Sequence, residues 1–185
     1  GECSCVRNSQ AERKSTATYS LSLVDRGNTY MSTALAQSAD FYDREWADHW
    51  QDMKVHSPVA RHTRRLIRKH LDALSFTSLV DIGCGNGQLI RDLDLDTSQV
   101  SVAGVDFSPE AIALASLSAT GRFEVADIQK ECPDIRADVG VCSEVLEHLD
   151  DDLSALRNIN RMVRHLIVTV PAGPLNAASL GMGHV

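Results

Sequence analysis

Leu79-Val80-Asp81-Ile82-Gly83-Cys84-Gly85-Asn86-Gly87 is a short apolar run that leads straight into glycines at alternate positions. The run has the length and composition of a buried strand, and the glycines mark a tight turn behind it. Such a turn lacks the β-carbons that would hold a ligand away from its backbone. Gln88-Leu89-Ile90-Arg91-Asp92-Leu93 follows with a helical look, so the turn opens onto a helix start. Strand, glycine turn and helix in this order predict a nucleotide-type cofactor site.

The spacing narrows the cofactor. A dinucleotide fingerprint needs a third glycine at position 88, where this chain has Gln88. That disfavours an NAD(P)-dependent oxidoreductase. Ser101-Val102-Ala103-Gly104-Val105-Asp106 reads as a second strand ending in a carboxylate. A carboxylate there can accept both hydroxyl hydrogens of a ribose, which suits any adenosine ligand. Asp106 also suits a helix cap, since Asp-x-Ser-Pro is a good helix start. A third run, Arg122 to Ala126, ends in Asp127-Ile128, an acceptor for an adenine amino group beside an apolar residue that can cover the base. Asp127 is equally suited to forming a turn. The glycine turn holds no basic residue to neutralise a pyrophosphate, so the expected ligand is an adenosine without phosphate.

Val-Asp-Ile-Gly-Cys-Gly-Asn-Gly (80–87), Gly-Val-Asp-Phe-Ser-Pro-Glu-Ala-Ile (104–112), Ala-Asp-Ile (126–128) and Cys-Ser-Glu-Val-Leu-Glu-His-Leu (142–149) occur in this order. Together they resemble the Rossmann-like (class I) S-adenosylmethionine-dependent methyltransferases, from about Leu66 to Pro174. The resemblance implies S-adenosylmethionine as cofactor and a methyl acceptor as substrate. It implies that Asp81, Gly83, Cys84, Gly85, Asn86 and Gly87 hold the methionine moiety. Asp106, with Ser108 beside it, would take the ribose hydroxyls; Phe107 and Ile128 would flank adenine, and Asp127 would accept from its amino group. Cys142, Ser143 and Glu144 would border the methyl donor and the substrate. Cys84 and Cys142 read as small buried hydrophobes rather than reactive thiols.

The reaction implied is in-line displacement at the sulfonium methyl carbon by an oxygen, nitrogen or carbon of a small molecule. His148 is the candidate base, because an imidazole near its ordinary pKa takes a proton at neutral pH. It reads equally well as a polar residue at the start of a helix. In a helical turn, Glu144, Glu147 and His148 would share a face and could bind a divalent ion. Similar runs hold metal in some RNA 2′-O- and catechol-type methyltransferases, and many relatives carry the run without it; no metal is assigned.

From Ser78 onward, strands are expected at 78–82, 101–105, 121–126, 137–142 and 165–170, with helices near 87–94, 109–118 and 150–162. Apolar, β-branched strands alternating with helices predict an α/β fold: a doubly wound, mostly parallel sheet covered on both faces. Right-handed crossovers would put every candidate site residue at strand carboxyl ends, near the topological switch point. The chain divides into a flexible tail (1–30), a helical cap (31–76) and the cofactor domain (77–185). In the cap, Phe41, Trp46 and Trp50 read as core packing or as an aromatic cluster over a site. Pro58 can open a helix whose Ile67, Leu71 and Leu74 form a buried stripe. Arg61, Arg64, Arg65, Arg68 and Lys69 lie mostly off that stripe, and a solvated face is the expected reading. After Pro174 the usual further helix and terminal antiparallel hairpin are not present. Strand five is therefore expected to be an edge that a missing segment, a homo-oligomer or another partner covers.

The 185 residues suffice for one sizeable core plus an appendage. The net charge of −7 gives no general attraction to nucleic acid or membranes, neither of which is an expected partner. The charge is uneven: residues 77–185 carry seven Lys/Arg against sixteen Asp/Glu, while 1–76 carry eleven against nine. Without an apolar run long enough to span a bilayer or a secretory leader, the expected location is cytoplasmic. Five cysteines, two of them at Cys3 and Cys5, make no disulfide framework.

Overall fold

The computed structural model describes Ser38, residues 43–44 and residues 56–171. The expected tail, Phe41, Trp46, Trp50 and the stretch from Ala172 lie outside the described residues.

Helix α1 spans Pro58–Leu71, with proline in its first turn and Arg68, Lys69 and His70 in its last. Proline suits the start because its φ is preset, and cations suit the carboxyl end of the helix dipole. Then come β1 (Ser78–Ile82), α2 (Gln88–Leu93), β2 (Ser101–Asp106), α3 (Pro109–Ser118), β3 (Arg122–Val125) and β4 (Ala137–Ser143). A 3₁₀ turn at Leu146–His148 precedes α4 (Asp152–Met162) and β5 (Val163–Thr169). The sheet order is β3-β2-β1-β4-β5, and every pairing is parallel. The expected doubly wound α/β sheet is the one observed. Successive strands are added on one side of β1 up to β3 and on its other side from β4, which makes the gap between β1 and β4 the switch point.

Period-two alternation gives the sheet two apolar faces. Val80, Ile82, Val105 and Cys142 pack under Ala155, Ile159 and Met162 of α4. Leu79, Val102, Val139 and Val141 pack under Ile67 and Leu71 of α1 and Leu89, Ile90 and Leu93 of α2. Each fully buried aliphatic side chain adds about 1.5–3 kcal/mol to folding relative to exposure. Ile67 and Leu71 thus join the cap helix to the sheet's own core.

Most element boundaries shift by a residue or two from the sequence reading, and two of the shifts have a clear cause. Strand β5 begins at Val163, two residues early, because Val163 pairs with Ala137 directly after α4 ends. Strand β3 is shorter than expected; Ala126 already lies beyond it, its amide donating to the Asp106 carbonyl at 2.9 Å.

Candidate functional site

The glycine turn is shaped by β2. The amides of Gly83 and Cys84 both donate to the Val105 carbonyl, at 2.8 and 3.0 Å. Gly83, Gly85 and Gly87 have φ of +73°, +52° and +77°, in the left-handed region. At Gly83 a β-carbon would sit 2.3 Å from Cγ2 of Val145, and at Gly87 one would sit 3.1 Å from Cβ of Ala119. At both positions the added atom meets protein, so these glycines answer first to the turn and its packing.

Asp106 joins the turn to the next helix. Its Oδ2 accepts from the Gly85 amide at 2.9 Å and its Oδ1 from the Ser108 amide at 3.0 Å. The cap of α3 is Ser108 rather than Asp106: the buried Ser108 hydroxyl accepts from the Ala111 amide at 3.0 Å and bonds to Asp43. Asp106 therefore keeps lone pairs for a ligand, whereas the Ser108 hydroxyl is committed to the scaffold.

Asp81, the last residue but one of β1, pairs with Gly104 on one side and Val141 on the other, and is 3% exposed. Burial, and then the neighbouring Asp106 charge, push its carboxyl up to about 7. Burial also raises Asp106, against the lowering effect of its amide donors. The Cys84 and Cys142 thiols are pushed up by burial and by nearby carboxylates, Asp81 among them. Unreactive thiols in a nest of carboxylates are what remains. Such a nest is electrostatically incomplete, and a bound cation would lower its energy.

Other expected site residues are spread around this centre. The Asp127 carboxylate serves its own turn, accepting from the Gln129 amide at 3.0 Å and pairing with Lys130 at 2.8 Å. Ile128 is buried in the core beside α4, and its carbonyl accepts from Asn158 at 2.9 Å. Phe107 is half-buried between Asp106 and the cap serine.

Past β4, Glu144 takes φ +56°, a strained conformation for a residue with a β-carbon. The strain is held by β5: the Glu144 amide donates to the Thr169 carbonyl at 2.9 Å, and its Oε1 accepts from the Thr169 hydroxyl at 3.0 Å. Ser143 shares that hydroxyl at 2.8 Å. Thr169, which the sequence reading did not single out, is thus tied to two of the expected site residues; its one signal was a hydroxyl closing the apolar run Leu166-Ile167-Val168. Glu144 is not on a helical face with Glu147 and His148, because only 146–148 turn, and in the 3₁₀ form. Among the described residues no His, Cys, Asp and Glu groups are arranged to hold a metal ion. His148 lies ahead of α4 rather than at its start, with Nε2 3.9 Å from Glu147; the cap of α4 is Asp151, which accepts from the Ser154 amide at 2.9 Å.

Residues 80–166 match a family model described as a methyltransferase domain. A small RNA 2′-O-methyltransferase of Arabidopsis thaliana is 29% identical over 114 residues, 51% of this chain and 12% of that protein. A ubiquinone biosynthesis O-methyltransferase of Nitrosomonas europaea is 28% identical over 129 residues, 64% of this chain and 54% of its own length. The chain thus spans about half the length of the bacterial relatives it matches, and far less of the plant one. Among solved structures, N-methyltransferase NodS of Bradyrhizobium japonicum, in complex with S-adenosylhomocysteine, superposes with TM-score 0.62 at 23% identity, over 80% of this chain and 78% of that one. The [4+2]-cyclase SpnF superposes with TM-score 0.52 at 24% identity, over 62% and 48%. The last name shows that this fold supports more than one reaction. No described helix is long and apolar enough to cross a membrane.

Proposed function

We propose, from its place among the Rossmann-like (class I) S-adenosylmethionine-dependent methyltransferases, that this chain transfers a methyl group to an oxygen, nitrogen or carbon of a small molecule. The observation that carries this reading is the carboxylate nest at the tips of β1 and β2: Asp81 and Asp106, buried, mutually repelling and bordered by a preformed glycine turn. S-adenosylmethionine matches it in charge, with a sulfonium and an ammonium, and in shape, with a ribose for Asp106 and no phosphate to repel. When bound it supplies a methyl carbon on an already activated leaving group.

The chain's own part is then binding, orientation and exclusion of water. Asp106 holds the ribose while keeping the glycine turn and the α3 cap in register. Asp81, in its ionised form, attracts the cationic end of the cofactor. Glu144, fixed by Thr169, faces the acceptor side, and His148, paired with Glu147, takes the proton of an acceptor that must lose one. A small-molecule acceptor is favoured by the net charge of −7, which gives no general attraction to nucleic acid, and the cytoplasm remains the expected location. A second copy or partner strand is assigned to the β5 edge, where Val168 is exposed. Related proteins are named for O- and N-methylation, which supports either chemistry here.

The test has two stages. Calorimetry should give saturable binding of S-adenosylmethionine and S-adenosylhomocysteine and none of NAD. An acceptor panel of phenols, amines and sugars should then release S-adenosylhomocysteine. Binding without release from any acceptor would leave a cofactor-binding, non-catalytic protein as the better reading.

A further inference from the structure

Helix α1 carries Arg61, Arg64, Arg65, Arg68 and Lys69 and no acidic residue. The sequence reading gives these charges to a solvated face, but the structure gathers four of them around one groove. Arg61, Arg64, Arg65 and Arg68 line about 250 Å³ together with Leu89, Asp92 and Leu93 of α2.

The groove is held open by part of its own charge. Arg64 pairs with the Asp92 carboxylate at 2.5 Å, and that carboxylate also accepts from Gln88 at 2.7 Å. Arg68 donates to the Asp92 carbonyl at 3.0 Å and to the Leu93 carbonyl, satisfying the carboxyl end of α2. These bonds fix α1 against α2 and consume the one carboxylate in the lining. Among the described residues, no carboxylate pairs with Arg61 or Arg65. They are four residues apart, so about 6 Å along the same helix face. Arg65 contacts the His62 ring at 3.2 Å, which steadies it without neutralising it. Four guanidiniums against one carboxylate leave the groove strongly positive.

We propose that this groove binds a single phosphate group carried by a small molecule, clamped between the guanidinium forks of Arg61 and Arg65. Planar forks grip phosphate oxygens in pairs, a geometry that a lysine does not reproduce. The side chains of Leu89 and Leu93 give the organic part of the ligand an apolar floor. A long polyanion is disfavoured, because the chain as a whole carries −7 and repels one beyond the groove. The site lies on α1 and α2, apart from the carboxylate nest, and does not depend on methyl transfer.

Calorimetric titration with phenyl phosphate and with inorganic phosphate tests it. Wild-type protein should bind phenyl phosphate saturably at one site, and Arg61→Gln/Arg65→Gln should weaken this at least tenfold while melting like the wild type. Arg61→Lys/Arg65→Lys, which keeps charge but not the forks, should fall between. Inorganic phosphate binding as tightly as phenyl phosphate would support the clamp with the free anion as its source. Absence of saturable binding overturns the proposal, as does unchanged affinity in the glutamine variant. A single-stranded oligonucleotide that outcompetes phenyl phosphate overturns it in favour of a polyanion surface. Should the double variant not fold, Arg61→Gln and Arg65→Gln are read singly against the same criteria.

Discussion

Oδ2 of Asp106 accepts the amide hydrogen of Gly85 at 2.9 Å, so the residue expected to hold the ribose also holds the glycine turn. One side chain therefore sets the position of the turn and, on the proposed reading, the charge that meets the ligand.

Replacing Asp106 by alanine removes an acceptor from two buried amides and from the ribose together. A buried hydrogen bond lost with its partner left unsatisfied costs about 1–3 kcal/mol, so S-adenosylmethionine affinity should fall roughly 10- to 100-fold or more. Asp106→Asn, which keeps one acceptor oxygen, should lose less. Titration calorimetry reads both variants, and unchanged affinity in the alanine variant would refute the ribose assignment.

The raised Asp81 carboxyl makes stability depend on pH. Folded Asp81 keeps its proton up to about pH 7, whereas the unfolded chain releases it near 3.8. The folded state thus binds more protons between these values, and stability falls as pH rises through them, levelling off above. The full span is worth roughly 4 kcal/mol. Urea melts from pH 4 to 8 should show this decline in the wild type and a much flatter profile in Asp81→Asn. A cationic ligand favours ionised Asp81, so wild-type cofactor affinity should rise with pH over the same range.

Gly83→Ala combines a left-handed backbone with a β-carbon 2.3 Å from Val145. The conformational part costs about 1–2 kcal/mol and the overpacking about 1–3 kcal/mol. Val145→Ala in the same chain should recover the second part only. A double-mutant cycle measured by denaturant melts checks this; strict additivity of the two changes would contradict the contact.

Thr169→Val removes the hydroxyl that Ser143 and Glu144 share, while keeping the strand's shape. Turnover of a methyl acceptor should fall several-fold with cofactor affinity little changed, and Thr169→Ser should restore it. Equal losses in the valine and serine variants would show that the hydroxyl is not what matters.

The fold was legible because its signals are local. Val80-Asp81-Ile82 before the glycines, and Val139 to Cys142, declare buried parallel strands by composition, and Ser108-Pro109 declares a helix start. Hydrogen bonding beyond the chain's own neighbourhood was not legible. Asp106, suited to a cap by its position before Ser108-Pro109, instead spends one oxygen on the distant Gly85 amide, while the Ser108 hydroxyl caps α3. Thr169 could be tied to Glu144 only once β5 had paired with β4, twenty-five residues apart. The Glu144, Glu147 and His148 reading assumed a regular helix at the end of β4, where the backbone instead passes through a left-handed residue.

Two amides converging on the Val105 carbonyl tie the glycine turn to the adjacent strand by bonds within the chain itself. The entropy of ordering that loop is lost once, as the chain folds, and not again at each encounter. On the proposed reading, a nucleoside arriving there docks into a finished mould, so its grip on the protein is not diluted by having to build its own seat.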